Sequence, residues 1–199
     1  MKSHACLQSN MTEGVLFDMD GTITRPHIDF KVLRSRIGVP EGTPIMSHVD
    51  ALPRNERDRA NSTIEEVELE AAEQSVLNDG AAELLEALRR VPLKLGLITN
   101  SNRRAMRFIV RKFDLKFDLL LSREDAPLKP APDLLLLALE KLALKPESTV
   151  FVGDGHYDRT ASAAAGVRYI HLEQGQTKSE HLSDSTVFAL IEVWNHLEL

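Results

Sequence analysis

The sequence predicts an α/β protein with a mostly parallel β-sheet and a small α-helical module inserted after the first strand. Short apolar runs alternate with helical segments along most of the 199 residues, which is typical of successive βα units. One stretch breaks this alternation, because residues 26–79 contain no convincing strand and are far longer than a usual connection between two strands. We therefore expect one sheet-based core and one helical insertion.

Five runs are expected to form the strands of the core, and polar or glycine residues follow each of them. These runs are residues 15–17, 93–99, 117–121, 149–152 and 168–172. Helices are expected in the intervals between the strands. They include residues 81–88, with Asp79 as the N-cap, residues 132–142, and an amphipathic closing helix at residues 185–197.

The inserted module is expected to contain two helices. The first covers residues 28–37 and ends at Gly38, and the second covers residues 55–77 with an apolar face. Acidic residues on the second helix are interpreted as solvated surface. They are Glu65, Glu66, Glu68, Glu70 and Glu73. The predicted parts of the chain are a polar leader at residues 1–10, a core of residues 11–25 and 80–199, and a helical cap at residues 26–79, with hinges at Pro26 and residues 78–80.

Charge and cysteine content narrow the functional classes. Thirty acidic and 24 basic residues give a formal net charge of -6, which disfavours nucleic acid or an anionic membrane as the main partner. The only cysteine, Cys6, excludes a disulfide framework and fits a reducing cytosol. No run approaches the roughly twenty apolar residues of a membrane span. We therefore predict a cytoplasmic protein.

Two aspartates lie one residue apart directly after the first predicted strand. Side chains of an extended chain alternate between its faces, so Asp18 and Asp20 are expected to point the same way. Two carboxylates in one small volume favour a bound divalent cation, a shared proton, or both. Taken alone, the Asp-x-Asp-Gly pattern also fits an Asx-rich turn or a fragment of a calcium loop.

Further candidates follow the other predicted strands. Thr99 and Asn100 offer a hydroxyl and backbone N–H groups to phosphoryl oxygens. A helix N-cap is the alternative, and Asn100 or Ser101 can provide it while Thr99 faces the crevice. Lys129 is framed by prolines, where its ammonium can neutralise a carboxylate and an incoming phosphate. Asp154 suits Mg²⁺, which prefers oxygen ligands, and Asp158 is expected to hold Lys129 or a metal-bound water in place.

These residues, in this order, resemble the four motifs of the haloacid dehalogenase (HAD) superfamily. The motifs are Asp18-x-Asp20-Gly-Thr, Thr99-Asn100, Lys129-Pro and Gly153-Asp154-x-x-x-Asp158. The module between the first two motifs is similar to the helical C1-type cap of subfamily IA, in the phosphoglycolate phosphatase and β-phosphoglucomutase branch. The resemblance implies a Rossmann-like three-layer core.

The resemblance also implies a Mg²⁺-dependent phosphatase. Asp18 would attack the substrate phosphorus to form an aspartyl-phosphate, and Asp20 would protonate the leaving group and then activate the hydrolytic water. The implied ligands are Asp18, Asp154 and the backbone carbonyl of Asp20 for Mg²⁺, and Thr99, Asn100 and Lys129 for the substrate phosphate.

Two other functions fit parts of this pattern. A phosphomutase of the β-phosphoglucomutase type uses the same two aspartates, but it must protect its phosphoenzyme from water through specific cap contacts. A non-catalytic module that binds a phosphorylated metabolite or a protein would not need both Asp18 and Asp20. The expected partner is a small phosphorylated metabolite, and the sequence leaves its identity and the oligomeric state open.

Overall fold

A six-stranded sheet forms the centre of the protein. The computed structural model describes residues 11–25, 28–173 and 185–199, so the predicted leader, with Cys6, and the predicted hinge residue Pro26 lie outside the described residues. The strands are β1 (Gly14–Phe17), β2 (Lys94–Ile98), β3 (Leu119–Leu121), β4 (Thr149–Gly153), β5 (Arg168–Leu172) and β6 (Thr186–Val187).

The strands run in one direction, in the order β3-β2-β1-β4-β5-β6. The α/β prediction is confirmed, and the five predicted strands end within two residues of their predicted limits. The strand β1 lies between β2 and β4, and all four of its residues are buried. The carboxyl ends of three neighbouring strands therefore meet at one edge of the sheet, around the end of β1.

Helices cover both faces of the sheet. Along β1, Val15 and Phe17 pack in one buried cluster with α4 (Ala81–Leu88) and α5 (Arg103–Lys112), whereas Leu16 packs in another with α6 (Asp133–Leu142) and α7 (His156–Ala165). This alternation gives three layers, helix, sheet and helix. None of the helices in the described ranges has the length and apolar character that crossing a lipid bilayer requires.

Three helices lie between β1 and α4, and we call residues 30–74 the helical insert. They are α1 (Phe30–Ile37), α2 (Ile45–Ala51) and α3 (Arg54–Gln74). The insert has a small apolar core of its own, formed by Leu33, Val49, Ala60 and Ile64. Of these helices, α2 was not predicted, because its seven residues follow a Gly-Thr-Pro turn that also fits a continued loop.

The two chain segments that join the insert to the core lie side by side. Thr24 pairs with Leu77 in an antiparallel bridge, and the backbone N–H of Arg25 donates to the carbonyl of Val76 at 3.0 Å. The Asn78 side chain donates to the carbonyls of Gly21 and Thr22, at 2.9 and 2.8 Å. Both ends of the insert are thus hydrogen-bonded to each other and to the turn that follows β1.

The predicted closing helix at residues 185–197 is wrong. The strand β6 occupies Thr186–Val187, and a 3₁₀-helix covers Leu190–His196. The buried side chains of the 3₁₀-helix are Leu190 and Val193, which are three residues apart. They therefore lie on one face of a helix with three residues per turn.

The predicted N-cap of α4 is also wrong. Gly80, in the left-handed region at φ 79°, occupies the N-cap position and no side chain caps the helix. The carboxylate of Asp79 instead pairs with the guanidinium of Arg25 at 2.7 Å. This ion pair therefore connects, at the surface, the segments that precede and follow the helical insert.

Candidate active site

The predicted site residues lie at the carboxyl edge of the sheet. Asp18 directly follows β1, Thr99 follows β2, and Asp154 follows β4. Lys129 comes from the loop between β3 and α6, and it reaches the same edge. The structure thus brings together groups that are as far as 136 positions apart along the chain, from Asp18 to Asp154.

Lys129 occupies the centre of this group. Its Nζ lies 2.5 Å from Oδ1 of Asp18 and 2.6 Å from Oδ1 of Asp158, and it donates to the carbonyl of Ile98 at 3.2 Å. Burial alone would lower the pKa of Lys129, but the carboxylates of Asp18 and Asp158 raise it to about 12. The ammonium therefore stays charged at neutral pH.

Asn100 holds the backbone of Lys129 from the end of β2. Its side-chain N–H donates to the carbonyl of Lys129 at 2.8 Å, and its side-chain oxygen accepts from the N–H of Lys129 at 3.0 Å. The ring of Phe151 lies beneath the ammonium, with its centroid 5.3 Å from Nζ. The Asn100 side chain, for which the sequence suggested only a helix N-cap, thus positions the lysine in this structure.

Three carboxylates form an acidic cluster beside Lys129. Oxygen atoms of Asp18, Asp154 and Asp158 lie within 4.8 Å of one another. Burial raises the pKa of Asp18 well above its ordinary value, and burial together with the charge of Asp158 raises the pKa of Asp154 to about 6. Hard oxygen donors with this excess of negative charge fit a divalent cation such as Mg²⁺.

The Asp20 carboxylate has different surroundings from that of Asp18 and is not part of this cluster. Its Oδ2 accepts from the hydroxyl of Ser101 at 2.6 Å and from the hydroxyl of Thr99 at 3.2 Å. Burial raises the pKa of Asp20, and the Ser101 hydrogen bond opposes that shift. The carboxylate of Asp18 thus binds the ammonium of Lys129, whereas the carboxylate of Asp20 binds two hydroxyls.

Glycines allow the acidic groups to approach the backbone closely. A Cβ on Gly21, whose φ is 91°, would lie 2.2 Å from Oδ2 of Asp154, and a Cβ on Gly153 would lie 2.7 Å from the Asp158 side chain. Asp158 in turn accepts from the N–H of Gly155 at 3.0 Å at the start of α7. These positions therefore require glycine for the carboxylates to reach their places.

The sequence reasoning missed the residues that connect the helical insert with this site. Glu68 of α3 was interpreted as solvated surface, but it is buried and pairs with Arg123, which follows β3. Asn102, and not Asn100 or Ser101, is the N-cap of α5. Ala60, Ile64, Glu68 and Ala72 are the buried residues of α3 and recur every four residues, so the position of Glu68 on the apolar face was visible in the sequence.

A small crevice lies beside Asp20, between the helical insert and the core. Its wall combines Asp20, Ser101 and Glu68 with apolar residues of α3 and α5. Ala71 and Ala105 are among these apolar residues. The crevice borders the carboxylate of Asp20 and has room for only about one water molecule.

Comparison with known proteins places this geometry in a family. Residues 43–166 match the family model described as haloacid dehalogenase-like hydrolase. A haloacid dehalogenase-like hydrolase domain-containing protein of Arabidopsis thaliana is 31% identical in an alignment of 159 positions that covers 74% of this chain and 65% of that protein. An uncharacterized hydrolase of Saccharomyces cerevisiae is 30% identical in an alignment of 193 positions that covers 91% of this chain and 88% of that protein.

A phosphoglycolate phosphatase of Salmonella typhimurium is 32% identical in an alignment of 130 positions that covers 64% of this chain and 52% of that protein. The chain thus spans about two thirds of the plant relative and about half of the bacterial one. The crystal structure of a HAD-superfamily hydrolase of subfamily IA from Geobacter sulfurreducens has the same fold, with a TM-score of 0.67 at 21% identity over 94% of this chain and 96% of that one. This chain belongs to the haloacid dehalogenase-like hydrolase family.

Proposed function

We propose that this protein is a Mg²⁺-dependent phosphatase that hydrolyses a small-molecule phosphate monoester through an aspartyl-phosphate on Asp18. The observation that carries the proposal is that the carboxylates of Asp18 and Asp20 have different hydrogen-bond partners. Asp18 faces the ammonium of Lys129, whereas Asp20 is held by Ser101 and Thr99. The phosphatases among the related proteins support the same reaction class.

In the first step, an Asp18 oxygen bonds to phosphorus as the bond to the leaving alkoxide breaks. The proton of the Asp20 carboxyl moves to that alkoxide, and the raised pKa of Asp20 suits it to carry this proton. In the second step, Asp20 takes a proton from water as the water oxygen bonds to phosphorus. The bond between phosphorus and Asp18 then breaks, which releases phosphate and restores both aspartates.

Lys129 provides a fixed positive charge beside the reacting carboxylate. The candidate donors to the phosphoryl oxygens are the backbone N–H of Asn100 and the Thr99 hydroxyl, which must turn away from Asp20 to donate to phosphate. Mg²⁺, held by Asp18, Asp154 and the backbone carbonyl of Asp20, would supply further charge neutralisation at the transferring group. Asp158 holds Lys129 through its own carboxylate. In this scheme, the groups that offset the phosphate charge are in place before the substrate binds.

We assign the core to residues 11–25 and 80–199 and the cap to residues 26–79. The helical insert lies over the carboxyl edge of the sheet, where Glu68 and Ala71 line the crevice beside Asp20. A cap at this position encloses the leaving group and selects substrates by its size. The proposed substrate is a small phosphorylated metabolite, and the proposed location is the cytoplasm.

A phosphate-release screen tests the proposal. The purified protein is incubated with sugar phosphates, phosphoglycolate and nucleotides, with Mg²⁺ and with EDTA. We expect Mg²⁺-dependent phosphate release by the wild type and none by Asp18→Asn, whose melting temperature should match the wild type. Normal turnover by Asp18→Asn would refute the assigned nucleophile, and an isomerised phosphate ester as the product would indicate a mutase.

A further inference from the structure

The turn that follows β2 contacts two residues of the candidate site, Asp20 and Lys129. In this 99–102 turn, the hydroxyls of Thr99 and Ser101 donate to Asp20, and Asn100 holds the backbone of Lys129. The hydroxyl of Thr99 also accepts from the N–H of Ser101 at 3.0 Å, which fixes the turn internally. The orientation of Asp20 therefore depends on the position of this turn.

One carboxylate of the helical insert reaches the 99–102 turn. Oε2 of Glu68 accepts from the backbone N–H of Asn102 at 3.0 Å and from its side-chain amide, and Oε1 binds the guanidinium of Arg123. The N–H of Arg123 donates to the carbonyl of Ser101 at 3.3 Å. Glu68 is thus linked to the turn directly at Asn102 and through Arg123 at Ser101.

The burial of this contact makes it different from a surface ion pair. The side chains of Glu68 and Arg123 are only 9% and 10% exposed, whereas the other acidic side chains of α3 named above are exposed. Both oxygens of Glu68 have partners in the protein, so the carboxylate is occupied by structural contacts. Loss of such a buried contact has larger effects than loss of an exposed ion pair.

We propose that Glu68 is a positioning residue that couples docking of the helical insert to the orientation of Asp20. When α3 lies on the core, Glu68 fixes Asn102 and Arg123, and the 99–102 turn holds Ser101 and Thr99 against the Asp20 carboxylate. When α3 moves away, the turn loses this support and Asp20 loses its fixed orientation. The inference rests on the proposed function, because it concerns proton transfer by Asp20.

Docking of α3 has a second attachment, which keeps a Glu68 variant interpretable. The Lys112 ammonium donates to the carbonyls of Glu73 and Ser75, each at 2.7 Å, at the carboxyl end of α3. Lys112, Glu73 and Ser75 all lie outside the 99–102 turn. A neutral replacement of Glu68 therefore disturbs the turn while Lys112 still holds the helix on α5.

The experiment compares Glu68→Gln with Glu66→Gln, an exposed glutamate on the same helix. The substrates are phenyl phosphate and p-nitrophenyl phosphate, which share a ring, while phenolate is the more basic leaving group and depends more on the proton from Asp20. The kcat/KM value reports phosphoryl transfer to Asp18. For Glu68→Gln we expect a loss of about tenfold with phenyl phosphate and about twofold or less with p-nitrophenyl phosphate, with no change for Glu66→Gln.

Melting temperatures establish that the variants fold. If Glu68→Gln does not fold, Asn102→Ser replaces it, because serine keeps an N-cap oxygen for α5 but lacks the amide that donates to Glu68. We expect the same selective loss with phenyl phosphate. Equal losses on both substrates, or no loss, would overturn the proposal for Glu68. A wild-type enzyme inactive on every phosphate ester would instead refute the proposed function, and this inference with it.

Discussion

Nζ of Lys129 lies 2.5 Å from Oδ1 of Asp18, and the two side chains are only 2% and 8% exposed. Replacing Lys129 with methionine keeps most of the side-chain volume but leaves the carboxylates of Asp18 and Asp158 buried without their shared ammonium. We expect Lys129→Met to lose phosphate release and to lower the free energy of unfolding by about 3 kcal/mol at pH 8.

The pH dependence distinguishes this electrostatic effect from lost packing. Burial already raises the pKa of Asp18, so without Lys129 its carboxyl takes up a proton more readily as the pH falls. Urea unfolding in EDTA should therefore show a smaller destabilisation at pH 5 than at pH 8. Lys145→Met, at an exposed lysine, is the control, and equal destabilisation at the two pH values would contradict the prediction.

Replacement of Asp20 tests its two roles in proton transfer. Asparagine can neither donate the carboxyl proton nor accept one from water, so Asp20→Asn should lower turnover by about 10²- to 10⁴-fold. With p-nitrophenyl phosphate, whose leaving group needs little protonation, the phosphoenzyme should accumulate. Mass spectrometry of the acid-quenched protein would show the added phosphoryl group. Asp18→Asn should show none, and equal labelling of both variants would contradict the assignment.

The raised pKa of Asp154 gives a sign to its effect on stability. Its value of about 6 lies above that of an unfolded aspartate near 3.9, so the folded protein without metal loses stability as the pH rises from about 4 through 6. Above pH 7, Asp154→Asn should therefore raise the free energy of unfolding in EDTA by about 1 to 2 kcal/mol.

Magnesium should make the wild type more stable than Asp154→Asn at pH 8. Mg²⁺ should raise the melting temperature of the wild type at pH 8, and much less at pH 5, where Asp154 is largely protonated. It should have little effect on Asp154→Asn at either pH. Asp50→Asn, at an exposed aspartate of the helical insert, is the control. An undiminished Mg²⁺ effect on Asp154→Asn would remove Asp154 from the metal site.

Two glycines with similar backbone angles allow steric contact to be separated from backbone strain. Gly21 and Gly42 have φ values of 91° and 79°, but a Cβ would lie 2.2 Å from Oδ2 of Asp154 at Gly21 and has nothing within 4 Å at Gly42. We expect Gly42→Ala to cost about 1 kcal/mol through strain alone and Gly21→Ala at least about 2 kcal/mol. Only Gly21→Ala should weaken the Mg²⁺-induced rise in melting temperature.

The sequence allowed us to predict that the site residues lie close together, because parallel strands end at one edge of a sheet. Asp18, Thr99 and Asp154 each follow a predicted parallel strand, and parallel strands that lie side by side end at the same edge. The rule needs only the strand positions and no knowledge of side-chain contacts. The rule predicts no hydrogen bonds, so the two hydrogen bonds between the Asn100 side chain and the Lys129 backbone were not predicted.

The contacts of the helical insert lay beyond the same reasoning. The position of Glu68 on the buried face of α3 is visible from its spacing, but its partner Arg123 is 55 residues away and on a different element. A buried acid is stable only with such a partner, and the docking of the insert alone supplies it. The sequence shows that Glu68 is a charged residue on a buried face, but it does not show which residue pairs with its charge.

The error at the carboxyl end has another cause. The strand β6 is two residues long, too short for an alternating pattern to reveal it. Its pairing depends on the exposed edge of β5, where the N–H of His171 donates to the carbonyl of Ser185 at 3.0 Å. Short elements of this kind are determined by the surface on which they pack, and local sequence preferences contribute little.

The paired linkers make the helical insert a replaceable module. The linker segments on the two sides of the insert lie side by side, and the N–H of Arg25 donates to the carbonyl of Val76 at 3.0 Å. Neighbouring entry and exit points are the arrangement in which proteins tolerate insertions and exchanges of whole domains. A helical unit of another length can therefore be grafted between these two positions without changing the register of the six-stranded sheet, and a graft that keeps a carboxylate at the place of Glu68 also keeps the contact with the 99–102 turn.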